Sequence, residues 1–245
     1  MPMMMLVNKT QLCAPRRRLA PARAASSSSS PTSSPSGINS SSKNKTPKLV
    51  VFDLDGLIWE PELYMMDMPL RRREDGNVMD RFGDTLRLYD GAKRALAELH
   101  FSSRFRETQI AYASRTHQKK DALRAFEWFE LSARDSVEDL HDDYTEASSV
   151  TMADVARYVE IRSGSKQQHF RNLHKASGIA YEDMLFLDNE RWNISEVSAL
   201  GVCSVYCPRG LVDEGVSLGD HSEWERALVE YEAVAIKKRT RQRRR

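Results

Sequence analysis

Two aspartates, Asp53 and Asp55, stand straight after the apolar run Lys48-Leu-Val-Val-Phe52, with one leucine between them. In extended backbone the side chains at i and i+2 point the same way, so these carboxylates leave the strand together. Two carboxylates a few ångströms apart do not both stay ionised cheaply without a cation. A hard cation with oxygen ligands, typically magnesium, resolves that conflict. One carboxylate can then attack phosphorus while the other passes a proton to the leaving group and takes one from water. An acidic pair in a surface turn means little, but unpaired carboxylates at the end of a buried strand need a reason.

Two further apolar runs end in polar residues. Gln109-Ile-Ala-Tyr-Ala-Ser114 is followed by Arg115, and Met184-Leu-Phe-Leu-Asp188 by Asn189. Short β-rich apolar runs fit strands buried on both faces of a parallel sheet. Between them lie helix-like stretches at Ala92 to His100 and His117 to Glu130. Another spans Lys166 to Ser177, closed by Gly178 at a position suited to a C-cap. A helix follows Asn189 to about Leu200, Gly201 to Tyr206 is a further strand, and a last helix is expected from about Ser222 to Lys237. Strand and helix alternate, which predicts a Rossmann-like α/β domain, doubly wound around a parallel sheet. Such sheets bind ligands outside the carboxyl ends of their strands, where the three polar strand ends would meet. Asp75-Gly76 and Phe82-Gly83-Asp84 suggest a small β-hairpin within residues 60–90, and the acidic stretch at about 132–150 reads as an exposed insertion. Only 58 residues separate Asp55 from Ser114, too few for a large cap domain over the site.

With the elements in place, a resemblance emerges. Phe52-Asp-Leu-Asp-Gly-Leu-Ile-Trp59 resembles the first motif of the haloacid dehalogenase superfamily. Tyr112-Ala-Ser-Arg-Thr116 resembles its second, in the form used by the magnesium-dependent phosphatase type 1 family. Gly164-Ser-Lys-Gln-Gln-His-Phe170 and Met184 to Arg191, continuing to Gly201-Val202, are similar to the third and fourth. The match runs in order from about Pro47 to Gly210. It implies an aspartyl-phosphate on Asp53, with Asp55 as general acid and base and its carbonyl on Mg²⁺. Ser114 and Arg115 would contact the phosphate and the substrate. Lys166 would neutralise charge, and Asn189 would ligate Mg²⁺, with Asp188 in contact with the metal or just behind it. The implied substrates are phosphotyrosine on protein and sugar phosphates, including fructosamine phosphates. Two positions depart from the family pattern. Leu57 stands where a threonine is usual, which removes a hydroxyl from the turn, and Asn189 stands where a second aspartate is usual, which lowers the expected metal affinity. Two other readings follow from these departures and the chain ends: a phosphate-binding interaction protein with little turnover, or a serine phosphatase of the polymerase-tail type.

Other candidates are weaker. Cys203 and Arg209 have the Cys-x5-Arg spacing of cysteine-based phosphatases, but such a loop wraps phosphate with successive amides and Pro208 has none. His169 reads as a packing or capping residue, and His117 as the exposed start of a helix. Trp59, Trp128 and Trp192 read mainly as packing, Trp59 with a possible place at the substrate entrance.

Composition sets the boundaries. The chain has 245 residues and a net charge of +2, but the first 48 residues carry eight basic and no acidic side chains, and seven of the last nine are basic. The body between them holds 22 basic against all 35 acidic residues, a net −13. An acidic body does not favour nucleic acid and repels phosphate esters at long range, so phosphate chemistry needs positive charge held locally. The Ser-rich, Arg-containing segment 1–46 has the composition of an organellar transit peptide, chloroplast ahead of mitochondrion. The domain is expected over 47–236 with a basic tail at 237–245, which reads as a solvated helix end or, alternatively, a nuclear address. No apolar run reaches the ~20 residues of a membrane span, and three cysteines are too few for a disulfide framework. The expected partner is a phosphorylated small molecule or phosphoprotein, and nothing in the sequence points to a particular oligomeric state.

Overall fold

The computed structural model describes residues 45–136, 139–213 and 222–243, with side chains through Lys237. Apart from its last two residues, the segment read as a transit peptide lies outside the described residues. The chain enters through Lys45 and Lys48, which both pair with Asp183, so ordered contacts begin slightly before the expected boundary. Strand β1 (Leu49–Phe52) follows, wholly buried.

After the loop that carries both aspartates come four short strands: β2 (Trp59–Glu60), β3 (Arg71–Arg72), β4 (Val78–Met79) and β5 (Thr85–Leu88). The expected simple hairpin is instead a four-stranded antiparallel flap in the order β2-β5-β4-β3. One carboxylate organises it. Asp80 Oδ1 accepts from the amides of Phe82, Gly83 and Asp84 at 2.8–3.0 Å, and its Oδ2 accepts from Asp67 N at 2.9 Å.

Next are α1 (Asp90–Phe101), β6 (Gln109–Ser114) and α2 (Lys119–Trp128). The acidic stretch is only partly the exposed insertion expected. Its ends pair as β7 (Glu130–Ser132) and β8 (Ser149–Thr151), and its middle is clasped to α1. Tyr144 meets the Phe101 ring edge-on at 5.0 Å, and His141 N donates to Phe101 O at 2.8 Å. Asp139, Asp142, Asp143 and Glu146 remain on the outside. A one-turn helix α3 (Met152–Val155) leads into β9 (Ala156–Ile161), a strand the sequence reading missed.

The remaining elements are α4 (Lys166–Ser177), β10 (Met184–Asp188), α5 (Arg191–Ser198), β11 (Cys203–Tyr206) and α6 (Glu223–Arg243). Gly178 caps α4 with φ 70°, the left-handed conformation expected of it. Helix α6 continues past Lys237, so residues 237–243 are helix and not a separate tail.

Five parallel strands form the main sheet in the order β11-β10-β1-β6-β9. The period-two alternation of β1 divides its side chains between two cores. Val50 and Phe52 pack with Ala95, Leu96, Phe126 and Trp224 from α1, α2 and α6. Leu49 and Val51 pack with Phe170, Leu173 and Val197 from α4 and α5. Helices cover both faces, so the sheet is doubly wound, with β1 at its centre. Among the described residues no helix is long and apolar enough to cross a membrane.

Candidate active site

Asp53 follows the last residue of β1, and its amide donates to Leu187 O of β10 at 3.1 Å. The neighbouring strands end beside it, β10 level with it in Asp188 and β6 one residue further on in Ser114. Lys166, the first residue of α4, reaches in from the side. It is only 1% exposed, and its ammonium contacts Asp53 Oδ1 at 2.5 Å, Ala113 O at 2.5 Å and Asp188 Oδ2 at 3.3 Å. Three acceptors match the three protons of an ammonium, and two of them are carboxylates. This is the local positive charge that the acidic body requires.

Asp188 is fully buried. Its Oδ1 accepts from Glu190 N at 2.7 Å, and its Oδ2 accepts from Asn193 Nδ2 at 2.9 Å as well as from Lys166. Burial first, and then the charge of Asp53, push its carboxyl above the usual range. Of the two positions expected for Asp188, the geometry favours the one behind the metal site, because protein donors already engage both oxygens. Its work is to hold Lys166 and the start of α5.

Asp55 is held differently. Its Oδ1 accepts from Trp59 Nε1 at 2.8 Å and from Leu63 N at 3.0 Å. Burial raises its carboxyl, those two hydrogen bonds pull it down, the charges of Asp53 and Glu62 push it up, and the net result is about 6. A carboxyl near 6 exchanges protons in the neutral range, as a general acid and base must. The turn itself is closed by the Leu57 and Ile58 amides on Leu54 O at 3.1 and 3.0 Å. Leu57 has no hydroxyl to offer and is wholly buried in the core.

Gly56 adopts φ 70°, and a Cβ there would lie 2.5 Å from Asn189 Nδ2. The motif loop and the end of β10 therefore touch, and only glycine allows it. With its nitrogen against Gly56, Asn189 has a buried Oδ1 that no protein donor meets. An orphaned buried acceptor is rare and costly. Beside a carboxylate it is what an oxygen-seeking cation requires. Among the described residues no three His, Cys, Asp or Glu side chains gather as a metal cluster. The fitting donors are instead of three kinds: the Asp53 carboxylate, the Asp55 carbonyl and the Asn189 amide oxygen. The residues present fit Mg²⁺.

Ser114 is buried, and its Oγ accepts from Thr116 N at 3.0 Å. Arg115 lies further out, its guanidinium 5.9 Å from the ring of Trp192. Trp192 is 56% exposed, so its reading as a packing residue is corrected. Trp59 does pack, at 5.8 Å from Phe126 and 6.3 Å from Phe129, but its indole nitrogen serves Asp55. His169 is buried with Nε2 3.0 Å from Arg162 O, and burial lowers it to about 4, so it stays neutral at ordinary pH. Cys203 and Cys207 are both buried, and burial pushes the Cys207 thiol far up, away from nucleophilic use.

Sequence reasoning missed four contributors: Trp59, Leu63 through its amide, Asn193 and Glu196. Glu196 accepts from Lys166 N at 3.0 Å and so fixes the start of α4. Asn193 carried a usable signal, since it stands one helical turn beyond Asn189 at the start of α5.

Two aspartates, a buried lysine and a free amide oxygen on the carboxyl edge of a doubly wound sheet define a hydrolase of the haloacid dehalogenase type. A family model described as acid phosphatase matches residues 45–232, and the chain belongs to that family. It is 32% identical over 179 residues to magnesium-dependent phosphatase 1 of Homo sapiens, covering 71% of this chain and 86% of that protein. It is 31% identical over 159 residues to a HAD-like hydrolase superfamily protein of Schizosaccharomyces pombe, covering 64% and 83%. Among solved structures, a haloacid dehalogenase-like hydrolase from Xanthomonas campestris aligns over 79% of this chain and 99% of its own, with 14% identity and a TM-score of 0.48.

Proposed function

We propose that this phosphatase hydrolyses phosphate monoesters with Mg²⁺ through an aspartyl-phosphate on Asp53, and that its substrates are aryl phosphates of the phosphotyrosine type. The observation that carries the chemistry is Lys166 clamped between Asp53 and Asp188, with the unpaired Asn189 Oδ1 beside them. Asp53, the Asp55 carbonyl and Asn189 would hold Mg²⁺, which would supply positive charge to the phosphoryl oxygens. An Asp53 oxygen attacks phosphorus, the bond from phosphorus to the ester oxygen breaks, and Asp55 gives its proton to that departing oxygen. Asp55, now ionised, takes a proton from water as the water oxygen attacks phosphorus. The bond to Asp53 breaks and inorganic phosphate leaves. Lys166 offsets the growing charge in both halves, and Ser114 donates to a phosphoryl oxygen. Phosphoryl transfer asks mainly for positioning and charge neutralisation.

The aryl preference rests on Trp192. A half-exposed indole next to Arg115 offers a flat surface on which an aromatic leaving group can stack. Sugar phosphates, fructosamine phosphates included, are the alternative substrate class. The flap adds no large cap, which suits phosphate borne on a protein side chain. For the segment outside the described residues, a plastid address is our proposal. A fluorescent fusion of residues 1–50 tests it, and a diffuse cytosolic signal counts against it.

The test of function uses the purified chain with an aryl phosphate. We expect Mg²⁺-dependent turnover that Asp53→Asn abolishes. Turnover indifferent to that substitution rejects the proposed mechanism, and no turnover with Mg²⁺ rejects the proposal and leaves the reading of a phosphate-binding protein.

A further inference from the structure

The proposed proton carrier, Asp55, is held by two donors that both sit on one oxygen. Trp59 Nε1 and Leu63 N occupy Oδ1 at 2.8 and 3.0 Å. A carboxyl oxygen offers two lone-pair directions, and two N–H groups fill them. A proton on Oδ1 would displace one of those bonds, so the acid proton belongs on Oδ2. The pair of donors therefore decides both the rotamer of Asp55 and which of its oxygens faces the ester.

Trp59 is well fixed for this task. Its ring is wholly buried between Phe126 and Phe129. Its carbonyl accepts from Gly56 N at 3.1 Å, and it pairs with Leu88 across the flap. A hydroxyl two residues after Asp55 would be the obvious way to steady this turn, but that position holds the core residue Leu57. We infer that Trp59 is a positioning residue for proton transfer: its indole N–H, with the Leu63 amide, holds Asp55 so that Oδ2 delivers the proton to the leaving oxygen. The inference rests on the reading of Asp55 given above. It adds a role for a flap residue whose side chain is wholly buried.

The step balances simply. The bond from phosphorus to the leaving oxygen breaks with its electron pair staying on that oxygen, and the Asp55 Oδ2 proton joins it. Esters differ in how much they need this help: a dinitrophenolate leaves unaided, whereas an alkoxide must be protonated as it leaves. General acid–base assistance is worth about 10²–10⁴-fold, and partial misplacement of the acid forfeits part of that.

The experiment measures kcat/KM for the full chain with Mg²⁺ over a series of esters from dinitrophenyl to alkyl phosphates. This ratio reads only as far as formation of the phosphoenzyme, so later hydrolysis does not blur it. Trp59→Phe keeps an aromatic ring in the cluster and removes the N–H. We expect a loss of about 10–100-fold with alkyl phosphates and under about threefold with the dinitrophenyl ester, and hence a steeper dependence on leaving group. An equal loss across the series, as from general loosening of the flap, overturns the inference, and so does no loss at all. If Trp59→Phe does not fold, Leu63→Pro removes the other N–H. Glu62 before it is extended at φ −65° and ψ 141°, as a residue preceding proline prefers. The same steepening is expected, and a uniform loss again rejects the inference. A wild-type chain inactive on every ester would instead defeat the function proposed above.

Discussion

Replacing Lys166 by methionine keeps most of the side-chain bulk and removes its charge. The ammonium now neutralises two carboxylates, Asp53 and the fully buried Asp188, and satisfies the Ala113 carbonyl. Removing one partner of a buried ion pair costs about 3–5 kcal/mol, because the other charge is left stranded. For a protein of this size each kcal/mol moves the melting temperature by about 2–4 °C, so the deficit should be about 6–20 °C. Its pH dependence has a definite sign. Burial and the Asp53 charge already raise the Asp188 carboxyl, and losing Lys166 raises it further. A group with a raised folded pKa costs nothing where folded and unfolded states are both protonated. The cost grows as pH climbs past the unfolded value near ~4 and levels off above the folded one. Melts of Lys166→Met in EDTA should therefore show a small deficit at pH 4 and a clearly larger one at pH 8. In activity, one lost charged donor to the transferring group should lower kcat by about 10²–10³. An equal melting deficit at both pH values, or a kcat within about threefold of wild type, would refute the account of Lys166.

Asn189→Asp adds a carboxylate where an amide oxygen now waits, and should lower the Mg²⁺ concentration for half-maximal rate several-fold; an unchanged Mg²⁺ titration speaks against Asn189 as a ligand. Trp192→Ala should raise KM for aryl phosphates while leaving KM for small alkyl or sugar phosphates nearly unchanged, and an equal rise for both classes removes the stacking argument. Asp80→Asn should weaken the flap. Four backbone amides hold the Asp80 carboxyl below the usual range, so its contribution is present above the unfolded pKa and disappears as pH falls through the folded one. Denaturation midpoints of the two chains should thus differ at pH 7 and converge in acid, and a constant gap would contradict this.

The parts of the fold legible in the sequence were those whose burial is uniform. β1, β6 and β10 are covered on both faces, so they read as unbroken apolar runs, and their polar ends mark the carboxyl edge of the sheet. β9 escaped because it lies at the sheet edge. Its residues Ala156–Ile161 alternate between half-buried and exposed until the last, and no apolar run betrays them. The flap escaped in part because two-residue strands leave almost no periodic trace, and a single carboxylate, Asp80, does the organising. The acidic stretch looked exposed from composition, yet Tyr144 and Leu140 against Phe101 were enough to pin it. At the site, Asp53, Asp55, Lys166, Asp188 and Asn189 announced themselves by type and by their place at strand or motif ends, whereas Asn193 and Glu196, inside a helix, did not. Trp59 did not, because a buried indole satisfies the pattern of core packing whether or not its nitrogen has a task, and a backbone amide such as that of Leu63 leaves no mark on the sequence at all.

The strand bearing Asp53 lies between partners made much later. Leu49 aligns with Gln109 on one side and with Met184 on the other, and Phe52 rests 6.3 Å from Trp224 of the final helix. A ribosome therefore delivers Asp53 early and its surroundings last. Partial chains ending before α6 would carry the key side chain without the scaffold that arms it, so proteolytic nicking or premature termination should yield inert fragments, not weakened enzymes.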